Sequence, residues 1–299
     1  MLCELSEGSF VQTWFRLSCL ETLFLFITSA PVFYYYYARS NVTYEKWIYK
    51  SNPKFPSPQK VRDEIVQMIK GMLCATVCPA LSLTLAQYGV GNAFCGWGDR
   101  PVSYHIGVML FSWILSDFFE FFYHRLGHVD LKFWTHHKHH HVFHNPSPFS
   151  VIADEPIDQF FRSSPLLVLP LLIPINMDLL FLQFGLFFYT YGVYLHSGYE
   201  HSFISPHNKI INTSFQHYAH HARSSMNTPY HCGFFLKIWD QLFSSCYPED
   251  KECFCAECGR GRGERTIDEF NKIDVPDYSV LLRPSYWMTW KTFKIEARD

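Results

Sequence analysis

The feature that most constrains this chain is a series of apolar runs long enough to cross a lipid bilayer. They lie at about Cys19–Tyr37, Gly71–Val90 and Tyr104–Tyr123, and a double-length run covers Phe160–Leu195. A spanning helix needs ~20 mostly apolar residues for ~30 Å of hydrocarbon, which the first three satisfy. The last, roughly 54 Å long as a helix, suits two short spans or a hairpin that dips in and returns, with Pro174, Asn176 and Asp178 at its turn. The Tyr34–Tyr37 cluster closes the first run, where interfacial aromatics belong. The expected fold is all-α: a polytopic membrane protein with about four transmembrane helices (two plus a hairpin-like pair) and a cytosolic histidine-rich helical cap.

Basic residues set the orientation. The segment between the first two runs carries Arg39, Lys46, Lys50, Lys54, Lys60, Arg62 and Lys70, whereas Gly91–Ser103 carries only Arg100. The positive-inside rule places the first segment in the cytosol and the second in the lumen. The third run then returns to the cytosol near Tyr123, and a hairpin over Phe160–Leu195 keeps His196 and everything after it there. The sequon at Asn41 falls on the cytosolic side, so no glycan is expected. The first residues lack a basic n-region and no A-x-A-type site follows the first run, so no cleavable signal peptide is expected. A formal net charge of −2 provides no field for phosphate backbones and excludes a nucleic-acid partner.

Of the 16 histidines, all but His105 lie between His124 and His231. Box one is His124-Arg-Leu-Gly-His128, whose i, i+4 spacing puts both imidazoles on one helical face. Asp117 and Glu120 share that face and can accept the second N–H of ligating rings or simply line the end of the span. Box two, His136 to His144, contains H-x-x-H-H in two registers, 136/139/140 and 137/140/141; box three is His217-Tyr-Ala-His220-His221. His196 stands at the end of the last run. Neutral imidazole ligates iron, zinc, copper or nickel. Two boxes of three, one of two and His196 make nine ligands, more than one six-coordinate metal can use, so the pattern points to two metals. The H-E-x-x-H of a zinc protease and the Glu-x-x-His pairs of carboxylate-bridged di-iron bundles are both missing.

These boxes, HRLGH, HKHHH and HYAHH around a hydrophobic hairpin, resemble those of the fatty acid hydroxylase superfamily of membrane non-haem di-iron oxygenases, nearest to the C-5 sterol desaturases of lathosterol oxidase type. Asp117, Pro146-Ser-Pro-Phe149, Pro156-Ile-Asp158, Asn227 and Trp239-Asp240 fit the same pattern, which covers roughly Tyr104–Phe243. The resemblance selects His137, His140 and His141 in box two. The implied metal set is then His124, His128, His137, His140, His141, His196, His217, His220 and His221, with His136, His139, His144 and His201 outside it, hydrogen-bonded nearby or solvated. The sequence departs from the family at Glu155, commonly His, at His196-Ser-Gly198 where C-5 desaturases read His-Asp-Gly, and at Glu200, a second histidine in some relatives. Glu155 and Glu200 supply oxygen ligands or bind no metal. The implied organisation is an N-terminal membrane region with two spans at 1–103, a catalytic region at 104–248 and a polar cytosolic extension at 249–299.

The resemblance implies an enzyme with two iron ions that uses O2 to remove hydrogen from an unactivated C–H bond of an apolar substrate entering from the bilayer. C-5(6) desaturation of a Δ7 sterol in sterol biosynthesis is expected, in the endoplasmic reticulum membrane with the site facing the cytosol. The alternative is a sterol or lipid hydroxylase, including the C-4 methylsterol oxidase type. The chain has neither a dinucleotide fingerprint nor a fused cytochrome b5-like segment, so electrons from NAD(P)H come through separate proteins, which the resemblance implies are cytochrome b5 and its reductase. A histidine-rich metal transporter would bury ionisable residues at mid-span; here they crowd the cytosolic ends. The ten cysteines do not read as a secreted disulfide framework. Cys253, Cys255 and Cys258, with Cys246 upstream, can hold zinc, but the paired C-x-x-C of a zinc ribbon is missing, so free thiols are expected.

Overall fold

A computed structural model describes residues 3, 4 and 7–288. It is all-helical, with no strand among the described residues. Four segments are long and apolar enough to cross a membrane: Phe10–Tyr37, Pro58–Gln87, Val102–Val129 and Met177–Leu195.

Helix α1 (Phe10–Tyr37) opens on a capping box between Ser9 and Gln12. Helix α2 (Pro58–Ala75) opens on the Ser57 cap with Pro58 in its first turn and continues after Thr76 as α3 (Val77–Gln87). It begins well before the apolar run because its first turns, with Arg62, Asp63 and Glu64 buried, pack inside the protein rather than facing lipid. Helix α4 (Val102–Val129) carries box one at its C-terminal end, and α5 (Leu131–His137) follows it, capped by Asp130.

The last apolar run is a hairpin. Helices α6 (Pro156–Arg162) and α7 (Pro165–Leu172) descend; α8 (Met177–Leu182), a π-helical turn at Gln183–Phe188 and α9 (Tyr189–Leu195) return. Its turn crosses to the far face, because it pairs with the loop between α3 and α4: Phe94 N donates to Ile175 O and Met177 N to Phe94 O, both at 3.0 Å. A disulfide joins Cys3 to Cys95 on that same face, a pairing not evident from the scattered cysteines.

The opposite face holds the loop after α1 together with α10 (Ser214–Arg223), α11 (Ile238–Leu242) and α12 (Ala256–Gly261). The C-terminal segment lies on that loop: Phe270 packs 5.7 Å from Trp47, and the Tyr278 hydroxyl donates to Pro56 O at 2.6 Å. Of the Ser285–Trp290 stretch, Thr289 and Trp290 lie outside the described residues, as does the rest of the extension to Asp299.

Candidate metal centre

The nine boxed histidines converge into two adjoining sets. His124, His128, His137, His141 and His220 bring ligand atoms within 4.8 Å of one another, and so do His140, His196, His217 and His221. All nine are buried. The sets meet where the His140 and His221 ring centroids stand 4.3 Å apart.

Each set is assembled from several elements. Box one supplies its i, i+4 pair to the set of five. Box two is not a single helical face: α5 ends at His137, and His140 and His141 sit in a 3-10 turn, His140–Val142. His137 and His141 therefore enter the five and His140 enters the four. On α10, His217 and His221 share a face and join the four, while His220, one position round the helix, joins the five.

The hydrogen bonds settle which ring nitrogen is free. A carbonyl can only accept, so His124 Nδ1–H donates to Cys232 O (2.9 Å), His128 to Ser225 O (3.0 Å), His220 to Tyr230 O (2.7 Å) and His196 to Gly192 O (2.8 Å). In a neutral imidazole that leaves Nε2 a bare acceptor. Two of those acceptors face each other, His128 Nε2 at 3.3 Å from His220 Nε2, and His141 Nε2 stands 3.1 Å from each of His128, His137 and His220. In the other set His217 Nε2 is 2.8 Å from His196 and 3.1 Å from His221. His124 Nε2 is buried with no hydrogen-bond partner. Lone pairs held this close need a cation between them, so the residues present fit metal ions.

Burial pushes His137, His141, His217, His220 and His221 well below the ordinary imidazole value and His196 to about 3. Neutral rings are the form that binds metal. Burial acts on His140 as well, but the Asp154 carboxylate, 2.8 Å from its Nδ1, outweighs it and the pKa is raised. The sign for stability follows. An unfolded histidine titrates near 6.5, so below that pH the unfolded chain binds protons that most of the folded cluster refuses. The stabilising contribution is present above about pH 6.5 and is lost as pH falls through it; His140 opposes the trend alone. Metal-free protein should show a falling Tm between about pH 7.5 and about pH 5.5, and metal-loaded protein, whose ligating rings including His140 are all held neutral, a higher Tm that falls at least as steeply, measured by thermal unfolding in detergent.

The acids differ in placement from the sequence reading. Asp117 receives no ligand N–H; it accepts from Phe235 N (2.8 Å), Leu236 N (3.2 Å) and Trp239 Nε1 (2.8 Å) and so holds the loop that presents Cys232 O to His124. Glu120 pairs with Arg162, which also reaches Asp154 at 3.1 Å. Glu200 turns away from the histidines and accepts from Ala256 N (2.7 Å) and Glu257 N (3.3 Å) at the start of α12. Glu155 lies 2.5 Å from His139 Nδ1, outside both sets. His136 is exposed, and His201 stacks on Tyr194 with centroids 5.2 Å apart. The carboxylates that do face ligating rings are Asp154, against His140, and Asp158, 3.5 Å from His137 Nδ1. Sequence reasoning missed Asp154; its signal was only its place two residues before Pro156-Ile-Asp158.

Two cavities flank the cluster. An apolar cleft of about 510 Å³ lies between α4 and α8, lined by Met109, Leu110, Trp113, Leu182, Phe187 and Phe235 among others. His105 lines it, but none of the nine boxed histidines does; Phe235, at its wall, is in ring contact with Phe188 and Phe234. Its size is that of a small-molecule site. On the other side a more polar cavity of about 520 Å³, bounded by Trp134, Lys138 and Arg223, reaches His141 and His221.

Comparison with known proteins shows what this site is similar to. Residues 109–245 match the fatty acid hydroxylase family, so the resemblance read from the boxes is borne out, and all nine histidines fall inside the match. The chain is 29% identical over 208 residues to a delta(7)-sterol 5(6)-desaturase of Aspergillus fumigatus, covering 69% of this chain and 56% of that protein. It is 28% identical over 251 residues to a delta(7)-sterol 5(6)-desaturase of Schizosaccharomyces pombe, covering 83% and 69%. It is 27% identical over 197 residues to lathosterol oxidase of Mus musculus, covering 65% and 63%. The chain thus spans between about half and about two thirds of the length of these relatives. No solved structure matches it.

Proposed function

We propose that this chain is an O2-dependent, di-iron sterol desaturase of the endoplasmic reticulum membrane that introduces the C-5(6) double bond into a Δ7 sterol. The observation that carries the reading is the convergence of nine buried histidines into two adjoining sets whose free Nε2 atoms face inward. His124, His128, His137, His141 and His220 would hold one iron, and His140, His196, His217 and His221 the other. With O2 as co-substrate and two external electrons, the irons would supply the oxidising power to remove hydrogen from an unactivated C–H bond. The protein's own residues orient the rings through Cys232 O, Ser225 O, Tyr230 O, Asp154 and Asp158, and keep bulk water away by burial. The cleft between α4 and α8 opens among lipid-facing Ile106 and Leu110, both more than half exposed, and is where we place sterol entry. Lys138 and Arg223 border the polar cavity that reaches His141 and His221, and we assign that face to an acidic electron donor, cytochrome b5, fed by its NAD(P)H-dependent reductase.

Two features support a cytosolic site. The basic loop after α1 lies on the histidine face, where Ser51 N donates to Gly198 O at 2.9 Å. The Cys3–Cys95 disulfide lies on the opposite face, as expected where the compartment is oxidising. Glycosylation mapping should find Asn41 unmodified and an N-x-T acceptor introduced between Gly89 and Asp99 modified; the reverse would invert the orientation.

The test of function is the sterol profile of a yeast strain lacking its own C-5 desaturase and expressing this chain. The reading expects Δ5,7 sterols to appear at the expense of Δ7 sterols. The His196-Ser-Gly198 sequence, closer to the sterol hydroxylases, favours a second reading in which a hydroxylated sterol appears instead. Membrane-inserted, iron-loaded protein that leaves the profile unchanged would overturn both.

A further inference from the structure

Outside the histidine centre, a second cluster of metal-ligating side chains lies under α10. His207 Nε2 is 3.2 Å from Cys258 Sγ and 3.7 Å from Cys255 Sγ. With Cys253, these four side chains offer ligand atoms all within 4.8 Å of one another. The three thiols form no disulfide. A tetrahedral zinc bound by three thiolates and one imidazole, with bonds near 2.3 Å and 2.0 Å, has edges of about 3.5–3.8 Å, so the four atoms need close in only slightly. Cys255 and Cys258 form one C-x-x-C turn at the start of α12, in which Cys258 N donates to Cys255 Sγ at 3.2 Å. The backbone N–H thus already points at the sulfur, where it would stabilise a bound thiolate.

We propose that His207, Cys253, Cys255 and Cys258 form a structural zinc site that clamps the C-terminal segment to the loop before α10. The donor chemistry separates it from the histidine centre: thiolates select zinc and form closed four-ligand sites. The site lacks Cys246, which the sequence grouped with these cysteines, and gains His207, forty-six residues before Cys253 and visible only in the fold. Cys253–Cys258 also lie beyond residue 245, where the family match ends. The clamp has a position to matter. Cys255 packs with Phe215 and Ala219 of α10, the helix that presents His217, His220 and His221. Glu200 caps α12 from one side through Ala256 N, and Ser205 Oγ donates to Glu257 Oε2 at 2.8 Å from the other.

The experiment is metal analysis and zinc K-edge X-ray absorption on the full chain, purified in detergent and loaded with iron. The proposal expects one zinc per chain with three sulfur neighbours at about 2.3 Å and one nitrogen at about 2.0 Å. Cys255→Ser and Cys258→Ser should lose it, His207→Cys should keep it with a four-sulfur shell, and Cys246→Ser should leave it unchanged. His221→Ala should also retain this zinc, since the two sites share no ligand. If the cysteine variants fail to fold, the wild-type absorption spectrum still decides. Wild-type protein without zinc, or with zinc surrounded by nitrogen alone, would overturn the proposal.

Discussion

His137→Ala and His141→Ala should each abolish turnover and lose iron, while His136→Ala should keep iron and lose at most several-fold in activity. The two H-x-x-H-H registers of box two differ by one residue, and the structure separates them sharply. His137 is 2% exposed and His141 5%, each with its Nε2 among the converging nitrogens, whereas His136 is on the surface. His144→Ala should behave like His136→Ala, because His144 is exposed and belongs to neither set of converging histidines; its Nδ1 lies 3.3 Å from His221 O. Asp154→Asn, which leaves the ligands in place but weakens the charge beside His140, should cost about 10–100-fold in metal affinity or activity. Iron content and sterol turnover of each purified variant check the series. Iron lost in His136→Ala but kept in His141→Ala would mean that the register is wrong by one.

Gly127→Ala should empty the site while leaving the protein folded. A Cβ at Gly127 would stand 2.7 Å from His137 Cγ and 2.9 Å from its Cδ2, closer than atoms pack, so the ring must move. Overpacking costs about 1–3 kcal/mol, and replacing a helical glycine by alanine, here in the last turn of α4, recovers at most about 1 kcal/mol, so the net loss of global stability should be modest. The ligand geometry is less forgiving, since such sites tolerate displacements of only about 0.5 Å. The expected result is a Tm modestly below wild type with iron and turnover largely lost. Retention of full iron would show that His137 is not needed.

Much of this was legible in the chain. The apolar runs marked the spans, and the box spacings marked the nine histidines that the fold gathers. What could not be read was how each box divides. The i, i+4 partners stay together, as at His124/His128, His137/His141 and His217/His221, but the odd member, His140 or His220, crosses to the other set. That crossing depends on α5 ending at His137 and on what α10 packs against, both tertiary matters. The acids were harder still. Asp117 and Glu120 lie on the face of α4 that carries box one, but helical spacing says nothing of the 232–239 loop or of Arg162, which engage them first. Glu200 and His207 owe their roles to the C-terminal segment folding back, and no local pattern signals that.

The most direct test of the central claim is the iron stoichiometry of purified, iron-reconstituted protein, with a Mössbauer spectrum of the iron-57-loaded sample. Two sets of converging imidazoles predict two irons per chain, both in nitrogen-rich surroundings and both lost when either His141 or His217 is replaced. A single iron per chain in fully active protein would contradict the account.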